Sequence, residues 1–320
     1  MPRILEGKFG IVTGGSRGTL RQILSSFGLE TITQTFSFVL TRGSITGIGE
    51  AIAHNLAEKG CSLLLIYTSA TSQARTEQLS ATLAKTHSIE CSVVQADLGK
   101  PEEAVEKIMA RAKQSADVID ILINNAGISE DRMLNDPAKG PIDPAYFQRQ
   151  YTVNVLAPLL LTQACAPYLP TSPSAPRGRI VNISSVSSSM GFTGQSVYGG
   201  TKAALEAMTR TWARELASRA TVNSVNPGPV VGDMYFATGE AFWKQMQGYQ
   251  DSTPLSELRG EADEVGLGPH NAALVRDKMG GRRPAFTREV AGIVAMLCTP
   301  DAEWTTGSVV CGNGGMRMGI

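Results

Sequence analysis

Charge of one sign is missing from this 320-residue sequence. Its 29 Lys+Arg balance 29 Asp+Glu, for a formal charge of zero at pH 7. That balance gives no electrostatic reason to expect a nucleic acid or an anionic membrane surface as partner. Long apolar runs are also missing, so no membrane-spanning helix is expected. The opening, MPRILEGKFGIVTGG, lacks the apolar core and small-residue cleavage site of an export signal, and the expected location is the cytoplasm. The five cysteines, Cys61, Cys91, Cys165, Cys298 and Cys311, are odd in number, scattered and without a CxxC pair. That pattern argues against a disulfide framework or a zinc site and for apolar thiols in a reducing compartment. The three histidines, His54, His87 and His270, have no metal-like spacing. What the chain does have is 42% hydrophobic residues, enough for a large core and too many for a disordered chain.

Apolar strand-like runs alternate with helical patterns. The runs are Lys8–Thr13, Ser62–Tyr67, Cys91–Gln95, Ile119–Ile123, Arg179–Ile183, Thr221–Val225 and Ser308–Cys311. Between them lie helical patterns at Glu50–Lys59, Ser72–Lys85, Pro101–Lys113, Ala145–Pro167, Ser196–Ser218 and Thr287–Cys298. Unbroken apolar strands such as SLLLIY belong in a sheet covered on both faces. Strand–helix alternation predicts right-handed crossovers and an α/β fold with a parallel sheet of about seven strands. No linker divides the chain, so residues 1–320 read as a single domain. The stretch 233–283, rich in Gly, Met and aromatic residues, is the natural place for a substrate lid, with Met234, Phe242, Trp243 and Met246 either lining the pocket or packing the lid.

The first run ends in TGGSRG, glycines of the kind that let a backbone approach a pyrophosphate at a helix start. The expected helix does not follow. About 29 residues, Gly18–Thr46, intervene before GIGEAIAHNLAEKG supplies it. The intervening segment is rich in Thr, Ser and Phe and poor in charge. It reads as an insertion in the phosphate-binding loop, of the texture of a translated intron or a misjoined gene. The rivals are a genuine loop, and use of Gly43–Gly49 as a second copy of the glycine motif. Apolar residues such as Phe36, Phe38, Val39 and Leu40 would compete for packing, so the insertion is expected to weaken cofactor binding.

With TGGSRG…GIG, NNAG at Asn124–Gly127, ISS at Ile183–Ser185 and YGGTK at Tyr198–Lys202, the chain resembles the short-chain dehydrogenase/reductase family, nearest in flavour to the 3-oxoacyl-carrier-protein reductase-like members. A lone YxxxK is common by chance, but this one stands 13 residues after a strand-ending Ser in a chain that also carries NNAG and VNPGPV. The resemblance implies a Rossmann-type doubly wound sheet and interconversion of a carbonyl and a secondary alcohol by hydride transfer. The chemistry of the residues agrees. Tyr198 and Lys202 are four apart and share a helix face. A phenol titrates near pH ~10, and a neighbouring ammonium lowers it toward useful acid–base work. The resemblance places the catalytic Ser at Ser185 rather than Ser184, by its spacing to Tyr198, and matches Asn154 to the family residue that organises a water-linked proton relay to the lysine.

For the cofactor, the resemblance points to Gly14, Ser16, Arg17, Gly47, Ile48 and Gly49 around the phosphates, Asp97 beside the adenine, and Asn124, Ala126 and Gly127 at the fourth strand's end. Tyr198, Lys202, Pro227 and Gly228 complete the set beside the nicotinamide, although Gly232 stands where the family often has a Thr. The second strand ends IYTSATSQ, with no acid to repel a 2′-phosphate, and Arg17 can supply positive charge; both favour NADP(H). The expected partners are a small carbonyl or alcohol substrate and, by family habit, a second copy of the chain in a dimer or tetramer. The alternative from another class is a nucleotide-binding chain whose catalysis the insertion has disabled.

Overall fold

Leucine and isoleucine run unbroken through Ser62–Tyr67 because that strand is covered on both faces. The computed structural model describes residues 3–14, 47–171, 176–232, 235–236 and 239–319. Ser16, Arg17 and Met234 lie outside the described residues, as does the whole of the expected insertion. Leu63 and Leu65 enter one buried cluster while Leu64 and Ile66 enter another on the opposite face, so each side chain along the run has a core to join.

Seven strands form one parallel sheet: β1 Phe9–Thr13, β2 Ser62–Tyr67, β3 Cys91–Gln95, β4 Ile121–Asn124, β5 Gly178–Ile183, β6 Ala220–Val225 and β7 Val309–Val310. Their order across the sheet is β3-β2-β1-β4-β5-β6-β7. The direction of travel reverses between β1 and β4, which opens a crevice at the strands' carboxyl ends, the usual ligand edge of such sheets. A two-residue antiparallel hairpin, Asn135–Asp136 with Gly140–Pro141, stands apart.

The helices are α1 Ile48–Glu58, α2 Ala70–His87, α3 Pro101–Lys113, α4 Pro144–Tyr151, α5 Ala157–Cys165, α6 Ser187–Met190, α7 Ser196–Glu215, α8 Glu240–Asp251, α9 Gly260–Leu267, α10 Pro269–Lys278 and α11 Thr287–Leu297. On one face of the sheet, α1 contributes Ile52, Ala53, Leu56 and Ala57, a helical repeat that packs with Leu79 and Leu83 of α2 and Val290 and Val294 of α11. On the other face, Ala104 and Ile108 of α3 meet Leu161 of α5 and Leu205 and Trp212 of α7. The Rossmann-type architecture expected from the sequence is therefore present, and β2, β3 and α3 have the expected bounds.

One expected element is divided. The single helix foreseen over Ala145–Pro167 is α4, a π turn at Thr152–Leu156, and α5. The cause is in the sequence. Pro158 has no N–H to donate to the carbonyl of Asn154 four residues earlier, and the chain takes a wider turn there.

The stretch between β6 and α11 holds helices α8, α9 and α10 over a third small core of Val231, Tyr235, Trp243, Leu267, Val275, Met279 and Phe286. Trp243 and Met246 are buried, and the Trp243 indole donates to the carbonyl of Tyr235 at 3.1 Å. These residues pack the segment itself. Its two ends are joined where the Val231 N–H donates to the Ala285 carbonyl at 2.7 Å and the Ala285 N–H to that of Pro229 at 2.9 Å.

Candidate active site

The end of β1 is tied to the end of β4 by one hydroxyl. Thr13 Oγ1 accepts from the backbone N–H of Asn125 and of Ala126, both at 3.0 Å, and donates to the Ile123 carbonyl at 3.2 Å. The Asn125 amide returns the tie, donating to the Thr13 carbonyl at 2.9 Å and the Gly14 carbonyl at 3.4 Å. Gly14 turns there with φ +67°, a conformation glycine adopts without strain. Directly against it lies Gly49, where an added Cβ would come within 2.5 Å of the Gly14 carbonyl oxygen. The two halves of the glycine motif, separated by some thirty residues in sequence, thus meet in space. Gly47 caps α1 and has no side chain to occupy the N–H groups of that helix start.

Beside this cradle is a cleft of about 290 Å³, lined among others by Ile48, Asn125, Gly127, Ser185, Tyr198 and Lys202, with Pro227 and Gly228 on its far wall. Asn154 forms its floor support. Its Oδ1 accepts from the Ile128 N–H at 2.8 Å, and its Nδ2 donates to the Ile128 carbonyl at 2.8 Å and to Thr201 Oγ1 at 3.1 Å. Gly127 leaves little room for a side chain: a Cβ would sit 3.2 Å from Asn154 Oδ1 and 3.3 Å from Lys202 Nζ, each of which would have to shift by a few tenths of an ångström.

Tyr198 and Lys202 project from the same face of α7. Lys202 Nζ donates to the Ile183 carbonyl at 2.8 Å and lies 5.7 Å from the Tyr198 ring centre. Burial pulls the ammonium down to about 8, with Glu206 opposing. Burial likewise pushes the Tyr198 phenol up to about 12; a hydrogen bond with Ser185 opposes this and the charge of Asp131 adds to it. The lowering of the phenol expected from its lysine neighbour is therefore outweighed by the removal of water around it.

Ser185 and Ser184 part company at the end of β5. The Ser185 hydroxyl donates to Ser187 Oγ at 3.0 Å and accepts from the Ser187 N–H at 3.2 Å, and Ser187 in turn donates to Gln195 Oε1 at 2.7 Å. Gln195 is also hydrogen-bonded to Asp131, whose carboxyl is raised mainly by burial. Ser184 is buried and its hydroxyl donates to Glu206 Oε1 at 2.7 Å.

Three of the expected cofactor residues are placed as follows. The Asn124 side chain is turned into the core, donating to Asn182 Oδ1 at 2.8 Å and Thr162 Oγ1 at 3.2 Å; of the Asn pair, it is Asn125 that lines the cleft. Ala126 presents its backbone to Thr13. Asp97 accepts from the Gly99 N–H at 3.0 Å in a turn, beside a second groove lined by Thr68, Gln95, Lys100 and Lys107. Thr13 and Asn125 were missed in the sequence. Asn125 is the second residue of NNAG, and the Thr before the glycines is the one polar side chain in β1.

A helix start and two closely packed glycines at the switch point of a parallel sheet, beside a buried Tyr/Lys pair, are the framework of a dinucleotide-dependent oxidoreductase. The comparisons give it a family. The short chain dehydrogenase profile matches residues 37–241. The L-xylulose reductase of Aspergillus niger is 64% identical over 99% of this chain and 100% of its own length. The L-xylo-3-hexulose reductase of Hypocrea jecorina is 49% identical over 100% of both. Among solved structures, a blue fluorescent protein from a metagenomic library in complex with NADPH superposes with a TM-score of 0.73 at 28% identity, covering 98% of this chain and 100% of that one. A short chain dehydrogenase of Burkholderia cenocepacia in complex with NADP gives 0.71 at 26% identity over the same shares. The chain belongs to the short-chain dehydrogenase family, oxidoreductases that bind a nicotinamide cofactor and interconvert carbonyl and alcohol. Reductases similar along its whole length do not favour the alternative of a disabled nucleotide-binding chain. Among the described residues no helix is long and apolar enough to cross a membrane.

Proposed function

We propose that this protein is an NADPH-dependent reductase of short polyhydroxylated ketones, of which L-xylulose and L-xylo-3-hexulose are the first to test. Relatives named for those substrates align with it from end to end. The observation that carries the chemistry is the convergence of Ser185, Tyr198 and Lys202 on one cleft next to the Gly14–Gly49 cradle. The bound cofactor supplies the hydride. Tyr198, a neutral phenol at working pH, gives its proton to the ketone oxygen. Ser185 turns from Ser187 to hydrogen-bond that same oxygen and fix it within reach. Lys202 stabilises the phenolate that results, and Asn154 holds the Ile128 loop and completes the path by which a proton returns from solvent. Gly14, Ser16, Arg17 and Gly47–Gly49 take the phosphates, with Asp97, Ala126, Gly127, Pro227 and Gly228 along the rest of the cofactor.

The preference for NADPH is supported by the start of α2. No acidic residue stands in its first turn, and Ser69 Oγ lies 2.7 Å from Thr71 Oγ1 and 3.2 Å from Ser72 Oγ. A helix N-terminus with three hydroxyls suits a 2′-phosphate. The segment 233–283 serves as the wall or lid over the substrate, and five free thiols suit a cytoplasmic enzyme. Following NADPH oxidation with each ketose tests the reading. A chain that reduces neither, while reducing an apolar ketone of similar length, would refute the substrate class.

A further inference from the structure

Ser184 and Glu206 are buried polar residues that the reaction described above does not use. Ser184 is 4% exposed and Glu206 9%. They come from different elements, the end of β5 and the middle of α7, and meet through the 2.7 Å hydrogen bond from the Ser184 hydroxyl to Glu206 Oε1. Ser184 is itself fixed, since its N–H donates to the Val225 carbonyl at 2.7 Å. Glu206 stands one turn beyond Lys202 on the same face of α7. A carboxylate is expensive to bury, and one hydroxyl is little compensation unless a positive charge is near.

We propose that Glu206, anchored by Ser184, is a positioning residue for the reaction: it is the fixed counter-charge that keeps the Lys202 ammonium charged in the dry wall of the cleft. The surroundings of Lys202 leave few other candidates for this work. Its own helix presents Tyr198 and Glu206. The end of β5 presents the neutral carbonyl of Ile183, and the π turn the neutral amide of Asn154. The loop after β4 brings Asp131, whose charge acts on Tyr198. Burial draws the ammonium down and Glu206 is the charge that opposes it. The pair of serines in ISS thereby divides its labour. Ser185 faces the reacting oxygen, and Ser184 holds the charge behind the lysine.

The inference rests on the proposed role of Lys202, and its test does not require turnover. Lysine labelled at Cε with carbon-13 is titrated by NMR in the full chain, with Lys202 assigned by its loss in K202R. The wild-type midpoint should fall near 8. Glu206→Gln keeps the shape and still accepts the Ser184 hydroxyl, and should lower the midpoint by about one pH unit. Glu206→Asp keeps the charge and should titrate with the wild type. Ser184→Ala, which frees the carboxylate to drift toward solvent, should move the midpoint the same way by less. In ketose reduction the alkaline limb of kcat/KM should shift with the midpoint, so that at pH 8 E206Q falls about elevenfold below its own plateau, where the wild type falls about twofold. An unmoved midpoint in both E206Q and S184A overturns the proposal, as does a uniform loss of rate at every pH with the limb in place. A wild-type chain that reduces no ketose while E206Q still lowers the midpoint would sink the substrate reading and leave this coupling standing.

Discussion

Around the Tyr198 hydroxyl, burial works against ionisation and holds the phenol near 12, which suits the acid role proposed for it. Tyr198→Phe removes that proton and leaves the ring. Ketone reduction should then fall by at least about 10²-fold with the NADPH dissociation constant little changed, and near-normal turnover would refute the assignment. Lys202 sets the pH range. Its ammonium is drawn below the usual lysine value to about 8, so the charge is present below that pH and lost above it. The kcat/KM of reduction should therefore decline as pH rises through about 8, and Lys202→Ala should abolish that limb along with most of the rate. At this scale the sequence was informative where spacing decides. The four-residue interval puts Tyr198 and Lys202 on one helix face, as they are found, while the choice of Ser185 over Ser184 was implied by the family resemblance. It was less informative where a side chain's direction decides. Asn124 and Asn125 are neighbours of the same type, and the pleat alone sends the first into the core toward Asn182 and the second to the cleft.

Among the elements, α2 is where the proposed preference for NADPH can be tested. A carboxylate at its N-cap would accept the ribose 2′-hydroxyl and repel a 2′-phosphate. Ser69→Asp should therefore reverse a preference for NADPH into one for NADH, read as the ratio of the two kcat/KM values, and an unchanged ratio would place 2′-phosphate recognition elsewhere. Elements whose residues answer to one local rule were legible in the sequence. β2 has bounds set by an apolar run between Cys61 and Thr68, and α3 begins at Pro101, whose fixed φ suits a first helical turn. The break between α4 and α5 was not foreseen, although Pro158 is in plain view. Helical periodicity persists through a π turn, and the wider turn that Pro158 opens is also where the Asn154 side chain is tied to Ile128, 26 residues away in sequence. The stretch between β6 and α11 was read as a substrate lid without its helices, because their core is small and their apolar residues answer to one another across α8, α9 and α10.

In the molecule as a whole, the contact of Gly14 with Gly49 bears on the long segment that the sequence places between them. The expectation was that its apolar residues would compete for packing and spoil the cradle. That segment lies outside the described residues; on either side of it β1 lies in register with both β2 and β4, and the start of α1 meets the end of β1 as closely as two glycines allow. A join of three residues, Gly15, Ser16 and Arg17, would suffice to link Gly14 to Gly47 once Gly18–Thr46 is removed. The 291-residue chain should therefore fold to the same sheet. Reducing the connection from 32 residues to three is a little more than three halvings of its length, which lowers the entropy of closure by about 2 kcal/mol. Urea unfolding should show the shortened chain more stable by roughly that amount. NADPH should bind both chains, because the cradle, the start of α2 and the cleft are built from residues outside Gly18–Thr46. A loss of stability on deletion would mean that the segment contributes packing of its own. Binding by the shortened chain alone would mean that it obstructs the crevice, as its composition first suggested.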